Sequence, residues 1–343
     1  MSVEFDRRVL LNHPCSTLVL DDDADVVETL KAFLGGRTAC IGYTSPQLAL
    51  TRLANSHQNA ANLSRFIAHY GDRPEDGNSD KADRLLLLRY SEVLRYATSP
   101  ARYDMVSVVV SDYAMPEMSG IDFFRQIKDL KVKKILLTGK ADEKIAVEAF
   151  NEDLIDGFLL KQDPNIPEKL PAMVLAQHQA FIQENSRILI EMLRASQENT
   201  FEMDGIGAIL EAVRKNFDYM EYYFITEPRG FILRNAAGKT KMLRLETKTT
   251  LGEIADIFED QFGRSPMSDA IRAAAVIPEN LGGPGWVYRL YEDFETHLVP
   301  CRITGEWAWA LTDFAQEEEM FSTSSWHAHR MALHERPINP RAN

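Results

Sequence analysis

Four short apolar runs in the first half of the chain each end in a polar side chain, and this repeat constrains the fold most. Stretches of helical apolar spacing lie between the runs, as in a parallel sheet flanked by helices. Near-continuous apolar runs fit strands that are buried on both faces. The runs are 18–20, 106–110, 135–137 and 158–160, with a weaker strand at 38–43. The pattern predicts a five-stranded, doubly wound parallel α/β sheet.

The polar residues at the ends of these runs are of three chemical kinds: carboxylates, a hydroxyl and an ammonium. In an open α/β sheet the ligand site lies outside the carboxyl ends of the strands, so these residues are expected to converge. Carboxylates suit Mg²⁺, an aspartate can accept a phosphoryl group, and lysine and threonine stabilise phosphoryl oxygens. The alternative is that each residue merely caps a helix or turn. The residues are Asp21, Asp22, Asp23, Ser111, Asp112, Thr138 and Lys161.

Four motifs occur here in a fixed order: LVLDDD at 18–23, VVVSDYAMPEMSG at 108–120, ILLTGK at 135–140 and GFLLK at 157–161. The region 15–165 thereby resembles a receiver domain of the two-component response-regulator family, with the CheY-like fold. The resemblance implies a signalling phosphoprotein that a sensor histidine kinase phosphorylates with Mg²⁺ as cofactor.

The resemblance also implies a role for each site residue. Asp112 is the phosphoacceptor, Asp21 and Asp22 join it around the metal, and Asp23 is a substitute ligand. Thr138 is the switch hydroxyl and Lys161 pairs with the phosphoryl group. Phe158 lies at the aromatic switch position, or is an ordinary core aromatic.

The sequence departs from the family pattern near the site. Lys161 is followed by Gln162 instead of the family's cis proline, and a cis bond there would cost about 2.5–4 kcal/mol. The loop after Lys161 is therefore expected to differ. Ala114 and Lys140 occupy positions that tune phosphoryl lifetime in similar domains.

The spacing between the motifs predicts three parts: a receiver at 1–165, a linker helix at 166–200 and an α+β output domain at 201–343. Asp22 and Asp112 are 90 positions apart, about twice the receiver pattern, so an insertion lies at about 52–104, with helical spacing at 63–69 and 82–96. In the linker, Val174, Phe181 and Ile188 recur at heptad spacing. This favours either a coiled-coil homodimer or packing on the output domain.

The output half has the order strands, helices, and then three strands at 286–291, 297–303 and 306–312. It loosely resembles a PAS-like module, through ITEPRGFILRNAAGK at 225–239 and WAWALTDFAQEEE at 307–319. That resemblance implies dimerisation or sensing of a small ligand. No signature of an output enzyme is present, so the chain is expected to be a phosphoacceptor and no enzyme.

Two polar groups in the output half have alternative interpretations. A basic stretch is either a phosphate- or nucleotide-binding face or, as favoured here, a solvated hairpin. Three histidines near the C-terminus either bind a metal or, as favoured here, belong to a polar tail. The basic residues are Arg229, Arg234, Lys239, Lys241, Arg244 and Lys248, and the histidines are His327, His329 and His334.

Composition narrows the class of function. The net charge of −13 is shared by both halves, which argues against a nucleic-acid partner. No run reaches the roughly 20 apolar residues of a membrane span, and the first residues lack a signal-peptide core, so the cytoplasm is expected. The three cysteines are far apart, which indicates neither disulfides nor structural zinc.

Together these features predict a response regulator with a non-DNA-binding output that acts by dimerisation or contact with a protein target. Two alternatives remain open at this point. One is a transcription factor with an unfamiliar DNA-binding output. The other is an output domain that binds or processes a small ligand such as a nucleotide.

Overall fold

The structure is a computed structural model of the chain. It describes residues 10–35, 38–60, 67–69, 86–88, 93, 95–97, 99–139, 142–195, 205–226, 229–278, 298–313, 325–334 and 338–339. The predicted strand at 286–291, the predicted helix end at 196–200 and Lys140 lie outside these ranges.

The strands fall into two large sheets and two short pairs. In chain order they are β1 Leu11–Asn12, β2 Ser16–Leu20, β3 Ala39–Tyr43, β4 Ile67–His69, β5 Leu86–Leu88, β6 Val106–Asp112, β7 Lys133–Thr138, β8 Gly157–Leu160, β9 Tyr219–Thr226, β10 Arg229–Asn235, β11 Thr240–Thr247, β12 Val276–Pro278, β13 Leu298–Pro300, β14 Arg302–Thr304 and β15 Trp307–Asp313.

The helices cover both sheets. They are α1 Ala24–Leu34, α2 Pro46–Ala60, α3 Gly120–Gln126, α4 Glu143–Asn151, α5 Ile166–Ala195, α6 Ile206–Arg214, α7 Lys248–Phe262, α8 Pro266–Arg272 and α9 Trp326–His334, with a 3-10 helix at Pro100–Asp104.

The first large sheet is the predicted one. Its five strands run in the order β3-β2-β6-β7-β8, and every neighbouring pair is parallel. Helices α1 and α5 bury apolar side chains on one face, and α2, α3 and α4 do so on the other. The predicted doubly wound α/β fold is confirmed, and the carboxyl ends of β2, β6, β7 and β8 meet at one edge.

The second large sheet is antiparallel, in the order β1-β9-β10-β11-β15-β14. One face packs on α6 and the second half of α5, and the other packs on α7 and α8. This arrangement confirms a separate α+β unit, while its likeness to a PAS module stays a prediction. The edge strand β1 comes from the N-terminal part of the chain, since Leu11 pairs with Tyr223.

The insertion is not helical where helices were expected. β4 and β5 pair antiparallel, with Ile67 opposite Leu88, so the helical interpretation of 63–69 and 82–96 is wrong at those six residues. A short continuous apolar run fits a strand as well as a helix, and periodicity alone does not separate the two. Residues 95–97, at the end of the second segment, are helical.

Helix α5 serves both cores. Val174, in its first half, is buried against the parallel sheet, whereas Phe181, Ile182 and Ile190 are buried with the antiparallel sheet. Phe181 therefore packs on the antiparallel sheet, as one of the two alternatives predicted, whereas Val174 packs on the parallel sheet instead. The side chain of Ile188 lies outside the description.

Helix α9 packs on the parallel sheet, which corrects the expectation of a polar tail. Trp326 and Leu333 of α9 are buried in the core of the parallel sheet, and Asn339 accepts a hydrogen bond from the backbone of Thr44 at 2.8 Å. A nine-residue helix with two buried apolar residues is too polar overall to stand out in the sequence. The boundaries at 165 and 200 stay a prediction. Strand β1 lies before residue 165 but pairs with the antiparallel sheet, and α9 lies after residue 200 but packs on the parallel sheet.

Candidate functional site

The edge where the parallel strands end holds most of the predicted site residues. Asp21 follows β2, Asp112 is the last residue of β6, Thr138 is the last residue of β7, and Lys161 follows β8. β2 and β6 are buried along their whole length, β7 is buried except at its first residue, and β8 is half-buried after Gly157. The register places Asp112 beside Leu137, one residue before Thr138.

Asp21, Asp22, Asp112 and Lys161 form an acidic pocket. Carboxylate oxygens of the three aspartates lie within 4.8 Å of one another. The Lys161 ammonium is 2.7 Å from Asp21 Oδ2 and 2.9 Å from Asp112 Oδ1. The pocket thus holds three carboxyl groups but a single ammonium group, which pairs with Asp21 and Asp112.

Burial and pairing act against each other in the pocket. Burial raises the pKa of the Asp21 carboxyl, although Lys161 and the backbone N–H of Asp23 both donate to it. For Lys161, burial disfavours the ammonium, but hydrogen bonds to Asp21 and Asp112 outweigh it and raise its pKa. The lysine therefore stays protonated at neutral pH, as its two partners require.

Asp22 and Asp23 are both exposed, but their side chains make different contacts. Asp22 joins the acidic pocket. Asp23 instead caps α1, because its side chain accepts from the backbone N–H of Asp25 at 2.9 Å. The capping alternative therefore describes Asp23 but leaves Asp22 available as a ligand.

Neither predicted switch residue contacts the carboxylates of the pocket. Among the described residues, Thr138 makes no hydrogen bond to them, and Phe158 is an apolar side chain. The Thr138 hydroxyl is buried and donates to the Gly139 carbonyl at 3.2 Å. Phe158 is half-buried and packs against the core of the sheet. Their predicted switch roles stay predictions.

Gly120 shapes the loop next to Asp112 and was not recognised from sequence. A Cβ atom at this position would lie 2.2 Å from the Asp112 carbonyl oxygen, and the Gly120 N–H donates to the Tyr113 carbonyl. Only glycine allows this close approach. The one available signal was the glycine at the end of the VVVSDYAMPEMSG motif.

A second polar cluster, the buried junction, was missed by sequence reasoning. It consists of Arg102, Tyr103, Glu221, Tyr223 and Arg234, and it joins the 3-10 helix to the antiparallel sheet. The Glu221 carboxylate accepts from Arg102 Nε at 2.8 Å, from Arg102 Nη2 at 3.0 Å, and from both tyrosine hydroxyls. The side chains of the ion pair are fully buried. An acidic residue inside the strand YMEYYFIT was the available signal.

The remaining polar groups of the output half do not form one site. Arg234 and Arg244 are buried, with Arg234 donating to Ala97 O and Arg244 to Pro278 O. Lys241 is half-buried on the opposite face and pairs with exposed Asp313. The basic stretch is thus divided between two faces of a sheet. Among the described residues the only group of three potential metal ligands is the acidic pocket; the side chain of His334 lies outside the description.

The family and sequence comparisons match part of the region that forms the parallel sheet. Residues 91–174 match the family of the response regulator receiver domain. A stretch of 51 residues is 41% identical to the transcriptional regulatory protein FixJ of Rhizobium meliloti (strain 1021), covering 14% of this chain and 25% of FixJ. The chain thus matches about a quarter of that relative.

The fold of the whole chain is similar to a solved structure. The Legionella pneumophila response regulator LqsR is matched over 95% of this chain and 96% of its own, with a TM-score of 0.68 and 23% identity. At that identity the match concerns the fold alone. In the part of the chain that the structure describes, no helix is long and apolar enough to cross a membrane.

Proposed function

Given a chain that carries a response regulator receiver domain, we propose that Asp112 accepts a phosphoryl group from a partner histidine kinase. The observation that carries this proposal is the position of Asp112: it ends β6 within 2.9 Å of the Lys161 ammonium and beside Asp21 and Asp22. A nucleophilic carboxylate, a cation and further oxygen ligands are the groups that phosphoryl transfer needs.

In the proposed reaction an Asp112 oxygen attacks the phosphorus of a phosphohistidine in line with the P–N bond. That bond breaks, the imidazole leaves, and an acyl phosphate forms on Asp112. Lys161 balances the charge of the phosphoryl oxygens. The Thr138 hydroxyl, which donates to Gly139, exchanges that bond for one to the phosphoryl group.

The acidic pocket fits a magnesium ion. Its donors are carboxylate oxygens, the ligands that Mg²⁺ prefers, and exposed Asp22 leaves room for the waters that this ion retains. Asp21, Asp22 and Asp112 would hold it. When bound, Mg²⁺ supplies positive charge to the transferring phosphoryl oxygens.

For the output we propose contact with a protein target, without binding to DNA. Helix α5 begins at Ile166, just after Lys161, and is buried in both cores, so it can pass a change at the pocket to the antiparallel sheet. A homodimer would need a surface other than the Val174–Phe181 stripe. The acidic balance disfavours a DNA-binding output, and the transcriptional role in the name of FixJ belongs to that protein.

The phosphorylation step is tested by incubating the full chain with acetyl phosphate and Mg²⁺ and measuring its intact mass. We expect the addition of one phosphoryl group, no addition in EDTA, and none in Asp112→Asn. Asp104→Asn, in the 3-10 helix at the other end of β6, is the matched control and gains the group normally. Incorporation in Asp112→Asn equal to that in the parent would contradict the assignment.

The output step is tested by light scattering with Mg²⁺ and beryllofluoride as a phosphoryl mimic. A mass that doubles in the parent but not in Asp112→Asn would replace protein contact by dimerisation as the output. An unchanged mass, together with altered hydrogen exchange in α5, is expected if the signal passes within one chain.

A further inference from the structure

A cavity of about 240 Å³ lies where the parallel sheet, α5, the antiparallel sheet and α9 meet. Its walls come from residues 12–15, from α5, from Met220 of β9 and from α9. Thr38, which also lines it, directly precedes β3. The cavity therefore lies at the amino ends of the parallel strands, whereas the acidic pocket lies at their carboxyl ends.

The inner wall of the cavity is apolar. Val174 and Trp326 are buried, Leu175 and Met220 are half-buried, and all four line the space. A wall of this kind accepts a ring or a short hydrocarbon chain, since removing apolar surface from water is favourable.

The lining offers no charge to a ligand inside the cavity. None of the lining residues, all of which belong to the described ranges, is an aspartate or glutamate. Arg330 is already engaged by a partner, and His327 is exposed to solvent. Burial lowers the pKa of His178 to about 4, so its ring is neutral at pH 7. A charged ligand would lose its hydration without gaining a counter-charge, which favours an uncharged one.

One buried polar atom of the lining lacks a hydrogen bond. Asn12 is only 8% exposed, and its Nδ2 donates to the Met220 carbonyl at 3.1 Å. That bond fixes the orientation of the amide, because a carbonyl oxygen can only accept. Among the described residues nothing donates to Asn12 Oδ1, yet this oxygen is not one of the fully enclosed atoms without a partner. It therefore faces open space, which for this lining residue is the cavity.

The volume limits the size of the ligand. Sites for drug-sized molecules measure about 300–1,000 Å³, and this cavity is smaller. A nucleotide or a long lipid would not fit within it, whereas a small ring system or a short chain would.

We propose that this cavity binds a small uncharged organic molecule that has an apolar body and one N–H or O–H donor. The donor bonds to Asn12 Oδ1, which satisfies the buried acceptor, and the apolar body packs against Val174, Leu175 and Trp326. Such a ligand contacts residue 12, α5 and α9 at once and stabilises their packing on one another. The proposal does not rest on phosphorylation of Asp112.

The test uses indole as the probe, titrated into the full chain by calorimetry. Its counterpart is benzofuran, which has nearly the same shape but a ring oxygen in place of the N–H group. We expect saturable binding of one indole, and binding of benzofuran that is weaker by about fivefold, as one neutral hydrogen bond implies. Benzoate and benzylammonium, which carry the two signs of charge, should bind at least tenfold more weakly than indole.

The role of Asn12 is tested by Asn12→Leu, which removes the acceptor and keeps a side chain of similar size. The preference for indole over benzofuran should disappear in this variant. Asn216→Leu is the matched control, because Asn216 also donates to a backbone carbonyl, that of Ala212, but is exposed and does not line the cavity. This control should keep the full preference.

Circular dichroism and thermal melting establish that each variant is folded. If Asn12→Leu does not fold, Leu175→Trp, which fills the cavity, decides the matter, and it should abolish indole binding. No saturable binding of indole at millimolar concentration would overturn the proposal. Equal affinity for indole and benzofuran, a preference unchanged in Asn12→Leu, or binding of either charged probe as tight as that of indole would overturn it as well.

Discussion

The acidic pocket and the buried junction are both built from charged groups, but their charges are matched differently. The pocket holds three carboxyl groups and one ammonium group, Lys161, which pairs with Asp21 and Asp112. In the junction, the single carboxylate of Glu221 accepts from the Arg102 guanidinium and from two tyrosine hydroxyls, and the second guanidinium, that of Arg234, donates to the Ala97 carbonyl. The pocket is open enough that Asp22 is exposed, whereas the Arg102–Glu221 pair is fully buried.

This difference indicates where ligands bind. A buried charge that is paired and fully hydrogen-bonded fixes one arrangement of the chain, since breaking it leaves the other charge uncompensated. In the solvent-accessible pocket, by contrast, a cation from solution can neutralise the negative charge of the carboxylates. The junction therefore ties the 3-10 helix before β6 to the antiparallel sheet, and the pocket is the place where we propose that the protein changes state.

Breaking the junction should have the largest effect on stability. Glu221→Gln leaves the buried Arg102 guanidinium without its counter-charge, and we expect the free energy of unfolding to fall by about 3–5 kcal/mol. Urea denaturation measures it. Asp256→Asn, which removes an exposed partner of Arg272, is the matched control and should cost at most about 1 kcal/mol. Similar losses for the two variants would show that the junction is no stronger than a surface pair.

The buried His13, next to the junction, should make the free energy of unfolding depend on pH. His13 is buried next to it, with Nε2 2.7 Å from the Tyr96 hydroxyl, and burial lowers its pKa to about 4. An unfolded histidine has a pKa of about 6.5. The neutral form is therefore favoured in the folded chain, and stability is complete above pH 6.5 and decreases as the pH falls toward 4.

The expected loss between pH 6.5 and pH 4 is about 3 kcal/mol, since each pKa unit corresponds to about 1.4 kcal/mol. Urea denaturation of the parent and of His13→Gln at several pH values isolates the contribution, because other groups titrate in both proteins. A constant difference between the two curves across this range would show that His13 is protonated as readily in the folded chain as in the unfolded one.

Removing Lys161 should strengthen the binding of Mg²⁺ to the pocket. In free energy this gain is smaller than the losses of stability expected above. Lys161→Met deletes the cation that competes with a divalent ion for Asp21 and Asp112, so Mg²⁺ should bind about tenfold more tightly. Calorimetric titration measures the affinity. Lys133→Met is the matched control, because Lys133 pairs with Asp156 at the opposite end of β7. Weaker Mg²⁺ binding in Lys161→Met would mean that the lysine organises the pocket instead of competing with the ion.

The sequence predicted the parallel sheet and the set of residues at its edge because both depend on short-range patterns. Each apolar run predicts a strand, and the residue that follows the run is predicted to lie at the carboxyl edge of the sheet. Asp21, Asp112 and Lys161 could therefore be placed near one another without knowing how the helices pack.

The junction and α9 could not be predicted in this way because they depend on contacts distant in sequence. Glu221 meets Arg102 across 119 positions, and Asn339 meets Thr44 across 295. Neither the charge of Glu221 nor the polarity of α9 indicates its partner. The helical prediction for the insertion was wrong for another reason. Apolar runs as short as β4 and β5 are compatible with either a helix or a strand.

The most direct test of the account locates the phosphoryl group. The chain is treated with acetyl phosphate and Mg²⁺ and reduced with borohydride, which converts an aspartyl phosphate to homoserine, and its peptides are then analysed by mass spectrometry. We predict homoserine at position 112 alone, and only when Mg²⁺ was present. Homoserine at position 21 or 22, or at none of the pocket aspartates, would contradict the central role assigned to Asp112.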